Sequence, residues 1–443
     1  MAVAIFWTGD DAIALEWLIG ESFKVDGDGL ISLTGLVSTD MDISVRVAIH
    51  QGITKSFLQH GLSRKSAGNA AATISIDGKD VEIGYKKLAS YAHQNFTKDL
   101  CDRKGRLKTE PIGIKSWLYP GATVRHNVDE EATIFRESPE LALALIFAPL
   151  ACQFFFLPND NFFNNPRIAL VIPGVTNLIK ASGSFLSMAK VNYRDRCILN
   201  AVEAGWRFFE RDRQVNNDRD DRITTCQIVT FQAEVWSNHQ RFRSRVDVMD
   251  VRDTVLDHYH KLTSKLSTNR VVSTKKAKHF LVATKLHESI VENIIHGSPV
   301  FRGLNQLLSD TNYWTELCIN KKQLKEIMND TIDTKTYKVF ITACHKAMRT
   351  EFAKLYNKAE GNDYIQFDRL KKRIRHDIII CEESKSFRRW LVRFWSGCSD
   401  NVADFNDIDA LLPSILVEGE WELFKDLALL ALVTYEYAPK PKT

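Results

Sequence analysis

The sequence predicts an α+β protein: a mixed α/β domain over residues 1–283 followed by a C-terminal helical bundle over residues 284–443. Three observations predict it. Strand-like and helix-like periodicities alternate as far as residue 283, and only the helical period continues beyond it. A chain of 443 residues, 44% hydrophobic and 26% charged, is long enough for two domains that each bury a core.

In the first domain, residues 2–7 read as a strand and residues 11–23 as a helix whose acidic start suits the helix dipole. Asp26-Gly27-Asp28-Gly29 is a turn; it lacks the remaining ligands of a calcium loop. Residues 73–76 and 81–85 flank Asp77-Gly78-Lys79-Asp80 as a hairpin with Lys79 at its tip, and residues 86–100 read as a helix. Lys98, Arg103, Lys104, Arg106 and Lys108 then crowd a Gly-containing loop, read either as exposed and mobile or as a phosphate contact. Residues 117–126 form a Pro-Gly turn feeding a short strand. Residues 140–158 read as a buried helix and strand; the apolar run is too short, and too interrupted by Pro149, for a membrane span. Residues 167–173 are a core strand, 176–188 and 192–211 helices, and 216–222 a solvated polar loop. Residues 224–236 and 241–248 are strands. Arg241, Arg243 and Arg245 share one face of the second, an exposed sheet face or a phosphate track.

The second domain reads as helices at 285–296, 301–308, 314–329, 335–356, 367–395 and 421–435. The fifth has the clearest pattern. Phe367, Leu370, Ile374, Ile378, Cys381, Phe387, Trp390, Leu391 and Phe394 form an apolar stripe. Lys371, Lys372, Arg373, Arg375, Lys385, Arg388, Arg389 and Arg393 cover the rest against Asp377, Glu382 and Glu383. Unbroken, it is a basic rod roughly 40 Å long, otherwise simply a solvated helix face. The whole-chain formal charge of +4 hides an asymmetry: residues 285–399 hold 20 Lys plus Arg against 14 Asp plus Glu, and residues 400–443 hold 3 against 9. A locally basic surface beside an acidic tail suits a phosphate-bearing partner.

Signatures of catalysis are missing. There is no phosphate-cradling glycine loop, no Gly-x-Ser-x-Gly elbow and no His-Glu-x-x-His. His376-Asp377 has no neighbouring histidines, and the histidines of Asp257-His258-Tyr259-His260 point to different helix faces. Eight scattered cysteines without Cys-x-x-Cys spacing read as reduced thiols, and residues 1–7 lack the basic start of a signal peptide. The expectation is a cytoplasmic protein with no cofactor, no metal and no membrane span.

Several blocks resemble one family. Trp117-Leu118-Tyr119-Pro120-Gly121, Arg125-His126, the run 141–156 and Ala169-Leu170-Val171-Ile172-Pro173 are similar to the large subunit of type I CRISPR surveillance complexes (Cascade), MYXAN-type and type I-B-like. Arg388, Leu412-Pro413, Trp421 and Asp426-Leu427-Ala428-Leu429-Leu430-Ala431-Leu432 with Tyr435 extend the resemblance to the C-terminus.

The resemblance implies a non-catalytic effector subunit that senses the protospacer-adjacent motif, stabilises the R-loop and recruits a helicase-nuclease or a transposition adaptor. Its implied partners are crRNA, target double-stranded DNA and the backbone, handle-binding and small subunits. Base pairing then carries the long sequence specificity, leaving the protein to read a few base pairs and neutralise phosphates. The resemblance also implies that a small subunit starts internally, with Met328 a candidate. By chemistry alone, Arg64, Lys65, Lys79 and the loop Arg103, Lys104, Arg106, Lys108 are candidates for duplex contact, with Arg241, Arg243 and Arg245 as a track. Lys371, Lys372, Arg373, Arg375, Arg388, Arg389 and Arg393 are the bundle candidates. Two other readings stay open: a helical scaffold whose basic face binds an acidic protein, and a nuclease with scattered carboxylates.

Overall fold

A computed structural model describes residues 5–37, 39–120, 135–216, 222–232, 243–274, 278–308, 311–331, 335–358, 364–396, 415 and 419–436. The chain is α+β, with mixed α/β structure first and helices last. It divides into two compact units, Met1–Leu256 with Thr268–Ala283 and Asp257–Ser267 with Thr284–Thr443.

The first unit contains α1 (Asp11–Ser22), β1 (Phe23–Val25), β2 (Ile31–Leu33), α2 (Ile43–Lys55), β3 (Arg64–Ile76), β4 (Lys79–Tyr91), α3 (Thr97–Leu100), β5 (Ile112–Gly113), β6 (Arg136–Glu137), α4 (Pro139–Ile146), α5 (Ala148–Ala151), β7 (Gln153–Asn159), β8 (Phe162–Pro173), α6 (Leu178–Ala189), α7 (Ala201–Val215), β9 (Thr225–Gln232) and β10 (Arg243–Asp250). After α8 (Asp253–Thr263), β11 (Asn269–Ser273) and β12 (His279–Ala283) return to its sheet. Among the described residues the sheet has eight strands, ordered β10-β9-β8-β12-β4-β3, with β7 also on β8 and β11 also on β12.

One helix shows how polar residues lock this unit. Along α2 every residue from Ser44 to Thr54 is buried. Its Gly52 packs so close to β7 that a Cβ would lie 2.3 Å from Phe154 Cγ. His50 accepts the Ile31 N–H at Nδ1 (3.1 Å) and donates from Nε2 to the Lys86 carbonyl (2.8 Å). Burial pushes His50 down to about 4 and His93 to about 3, so both imidazoles stay neutral. Arg46 bridges Asp26 (2.7 Å) and Asp28 (2.6 Å), so a guanidinium fills the turn that resembled a calcium loop.

The structure departs from the sequence pattern at several elements. Ile5, Phe6 and Trp7 are not in a strand, and Phe6 is 91% exposed; Ala2 to Ala4 lie outside the described residues. Residues 86–91 continue β4 instead of starting a helix, and only Thr97–Leu100 is α-helical. Pairing of Lys86 with Asn69 and of Ser90 with Lys65 outweighs the local helix preference of Lys-Lys-Leu-Ala. The hairpin is therefore far longer than its central alternation, thirteen residues per strand. The helix expected over 192–211 starts at Ala201, where the Asn200 side chain accepts the Glu203 N–H (2.9 Å). Before it, the fully buried Arg196 donates to the carbonyls of Val191, Phe154, Met188 and Ala189.

The second unit contains α9 (Lys285–His296), α10 (Leu304–Leu308), α11 (Thr311–Ile319), α12 (Lys321–Thr331), α13 (Lys335–Lys358), α14 (Tyr364–Ile379), α15 (Ser384–Ser396) and α16 (Trp421–Thr434). Helix α16 is its axis, buried at every residue from Leu423 to Thr434 and packed on α10, α12, α13, α14 and α15. A helix apolar all round belongs inside. The Asp426–Leu432 block, so prominent in the sequence, is bundle core. The helix expected over 314–329 is two helices: the Asn320 side chain donates to the Glu316 carbonyl (2.9 Å), ending α11 where α12 begins.

The rod expected over 367–395 is also broken, between Ile379 and Ser384. The cause lies elsewhere in the chain. Lys425, on α16, donates its ammonium to the carbonyls of Ile379 (3.1 Å) and Cys381 (2.8 Å), satisfying the end of α14. On its other side Asp426 accepts the N–H groups of Gly303 (2.8 Å) and Asn305 (2.6 Å) at the start of α10. Among the described residues no helix is long and apolar enough to cross a membrane.

Candidate nucleic-acid interface

In the first unit the nominated cations lie at separate places. Lys65 pairs with Ser90 near the base of the β3–β4 hairpin and Lys79 pairs with Ile76 beside its tip. At about 3.3 Å per residue they are roughly 35 Å apart along one hairpin. Both are exposed. Arg64, by contrast, is half-buried, and its guanidinium donates to the Thr54 carbonyl at the end of α2 (2.7 Å); burial lowers its pKa. Its charge serves a helix terminus.

The loop after α3 is a pinned turn. The Asp102 carboxylate accepts the N–H groups of Lys104 (2.8 Å) and Arg106 (3.0 Å), and Asp11 accepts that of Leu107 (2.9 Å). These backbone bonds hold both carboxylates below their ordinary pKa. Gly105, at φ +76°, takes the left-handed turn position. Arg103, Lys104 and Arg106 stand exposed on this turn, whereas Lys108 donates to the Asp99 carbonyl (2.7 Å).

On β10, Arg245 is exposed and pairs with Asp247 (2.8 Å). Alternation puts Arg245 and Asp247 on one face, so a carboxylate stands beside this cation of the expected row. Arg241 lies outside the described residues.

In the second unit the nominated cations fall into two groups. Arg375 donates to the Leu308 carbonyl and lies over the Trp314 ring, 5.0 Å from its centre. Lys371 is half-buried, and its pKa is lowered first by burial and then by Lys321. Lys372 pairs with Asp368 (2.7 Å), and Arg373 reaches toward Glu351 (3.9 Å). On α15, Arg388 is half-buried, while Arg389 and Arg393 are exposed one turn apart on the same face. The side chains of Arg389 and Arg393 bond to no carboxylate among the described residues.

Arg389 and Arg393 line a groove of about 470 Å³ together with Glu351, Asp377, Ile380, Cys381, Ser386, Trp390 and Phe394. Along α15 the rings of Phe387, Trp390 and Phe394 form a ladder, with centres 5.7 and 5.0 Å apart at 22° and 16°. The sequence pointed to Asp377 as half of a His-Asp pair and as one of three carboxylates set against the basic face, and nothing in it pointed to Glu351. The usable signal was the i, i+4 spacing of the two arginines against the aromatic stripe. Among the described residues no group of three or more His, Cys, Asp or Glu side chains is placed to hold a metal ion. Seven described cysteines are free thiols; Cys398 and residues 400–414 lie outside the described residues.

The described residues thus form a mixed α/β unit and a helical unit built around one buried helix, the latter carrying a cationic, aromatic groove. Comparison with known proteins then narrows the class. The family model described as DevT N-terminal domain matches residues 1–146, and that described as DevT C-terminal domain matches residues 328–442. The chain is also 23% identical over 463 aligned residues to "CRISPR-associated protein Cas8a1/Csx13" of Myxococcus xanthus, covering 98% of this chain and 79% of that protein. Both findings are consistent with a MYXAN-type large subunit, the family its motifs resemble.

Proposed function

We propose that the chain is the non-catalytic large subunit of a type I CRISPR RNA-guided DNA surveillance complex acting in the cytoplasm. The observation that carries this reading is the similarity to a CRISPR-associated protein along 98% of the chain, with a DevT domain matched at each end. Within such a complex the residues divide the work by exposure. Lys65, Lys79 and the Arg103, Lys104, Arg106 turn are the first unit's candidates for duplex DNA and its protospacer-adjacent motif. Arg389 and Arg393 are the second unit's candidates for a strand of the R-loop.

Recruitment of a helicase-nuclease or a transposition adaptor, and assembly with crRNA and the backbone, handle-binding and small subunits, complete the proposal. Met328 lies inside α12, four residues after its buried anchor Leu324 and one after Ile327. A small subunit started there would lack both. Intact mass of the purified complex tests it, and full-length chain alone removes the idea.

The test of the main reading is expression with the neighbouring subunits followed by analysis of bound nucleic acid. Co-purification with a short repeat-spacer RNA, and target binding whose log K falls with log salt, are the expected results. Metal-dependent cleavage of DNA by the chain alone, or salt-insensitive binding to an acidic protein in place of nucleic acid, would contradict it.

A further inference from the structure

The geometry points to the groove between α14 and α15 as a seat for an unpaired nucleotide, with its base against Trp390 and its phosphate on Arg389 and Arg393. This rests on the reading above and adds a chemical class of ligand. A surface that only neutralises backbone needs cations and nothing else, and this groove holds more. Asp377 also lines it, and the side chains of Asp377, Arg389 and Arg393 make no bond to one another or to any other described residue. Glu351, on the same lining, is already paired with Lys354 (3.0 Å).

Opposite charges that share a groove without meeting suit a ligand that carries both complements. A nucleotide does: an anionic phosphate for the guanidiniums, a flat ring for the indole edge left beside the stacked rings of Phe387 and Phe394, and amino or ring N–H groups for the carboxylate. A duplex offers its phosphates but keeps its bases stacked inside. An acidic peptide would satisfy the arginines and set a like charge beside Asp377. The volume of about 470 Å³ lies within the range usual for small-ligand sites.

The test measures binding of the full-length chain to a labelled single-stranded oligonucleotide and to the same backbone with abasic sites. Wild type is expected to prefer the base-bearing strand by roughly three- to ten-fold, the order of one edge-to-face aromatic contact. Trp390→Leu should abolish that preference while leaving abasic affinity unchanged, and Trp390→Phe should retain it. Arg389→Gln with Arg393→Gln should weaken both strands alike. Thermal melting of each variant establishes that the fold is intact. Equal affinity of wild type for the two strands, or equal loss on both with Trp390→Leu, would overturn the inference while leaving phosphate binding standing. Failure to bind any polynucleotide, alone or in the assembled complex, would instead defeat the functional reading beneath it.

Discussion

Helices α14 and α15 come from one stretch of sequence with one continuous pattern, yet their cations sit in different surroundings. On α14, Arg375 ties the end of α10 and covers Trp314, Lys372 answers Asp368, and Lys371 is half-buried. On α15, Arg389 and Arg393 stand open beside a ladder of aromatic rings. The difference teaches that a basic helix face is not a unit of function. What counts is whether each charge already has a partner inside the fold, and that is set by neighbours distant in sequence.

The largest effect should come from the residue that separates the two helices. Lys425→Met leaves the carbonyls of Ile379 and Cys381 without their buried donor and should cost about 2–4 kcal/mol in chemical denaturation. If stability is unchanged, the break between α14 and α15 has another cause.

Next in size are the pH effects, on the order of 1–3 kcal/mol. Burial raises Asp426 to about 7 against an ordinary value of 3.8. Its contribution is therefore fully present at low pH and is lost as pH rises through 7. In the first unit His50 and His93 are depressed to about 4 and 3, so their contribution is full above about 6.5 and is lost as pH falls toward those values. The two units should thus lose stability in opposite directions of pH. Asp426→Asn should flatten the loss on the alkaline side alone, as followed by denaturation across pH 4 to 8.

Arg375→Ala should cost about 1–2 kcal/mol, through the lost charged hydrogen bond and ring contact, with little change in the salt dependence of strand binding. Arg389→Gln with Arg393→Gln should do the reverse. Stability should stay within about 0.5 kcal/mol, and the slope of log K against log salt should fall by roughly 0.7 per lost single-strand contact. Matching effects of the two sets on both readouts would erase the distinction between the helices.

The fold class was legible because the change from mixed to purely helical periodicity is carried by the local pattern. So were the hairpin turn at Asp77-Gly78 and the buried segment from α4 to β7. What was not legible depended on distant partners. The end of α14 is fixed by Lys425, 46 residues beyond Ile379. Strand β4 extends through Lys86 to Tyr91 because β3 pairs with it there, against local helix preference. Arg64 and Lys65 are adjacent in sequence, yet one caps α2 and the other faces solvent. Residue type identified the cations of the candidate interface; only packing separated those held by the fold from those left open.

The most direct measurement is a density map of the assembled complex bound to target DNA. The account predicts phosphate oxygens within hydrogen-bonding distance of Arg389 and Arg393, with Arg375 still turned inward to the Leu308 carbonyl. A map in which the α15 arginines face bulk water or another protein, with no polynucleotide beside them, would contradict it.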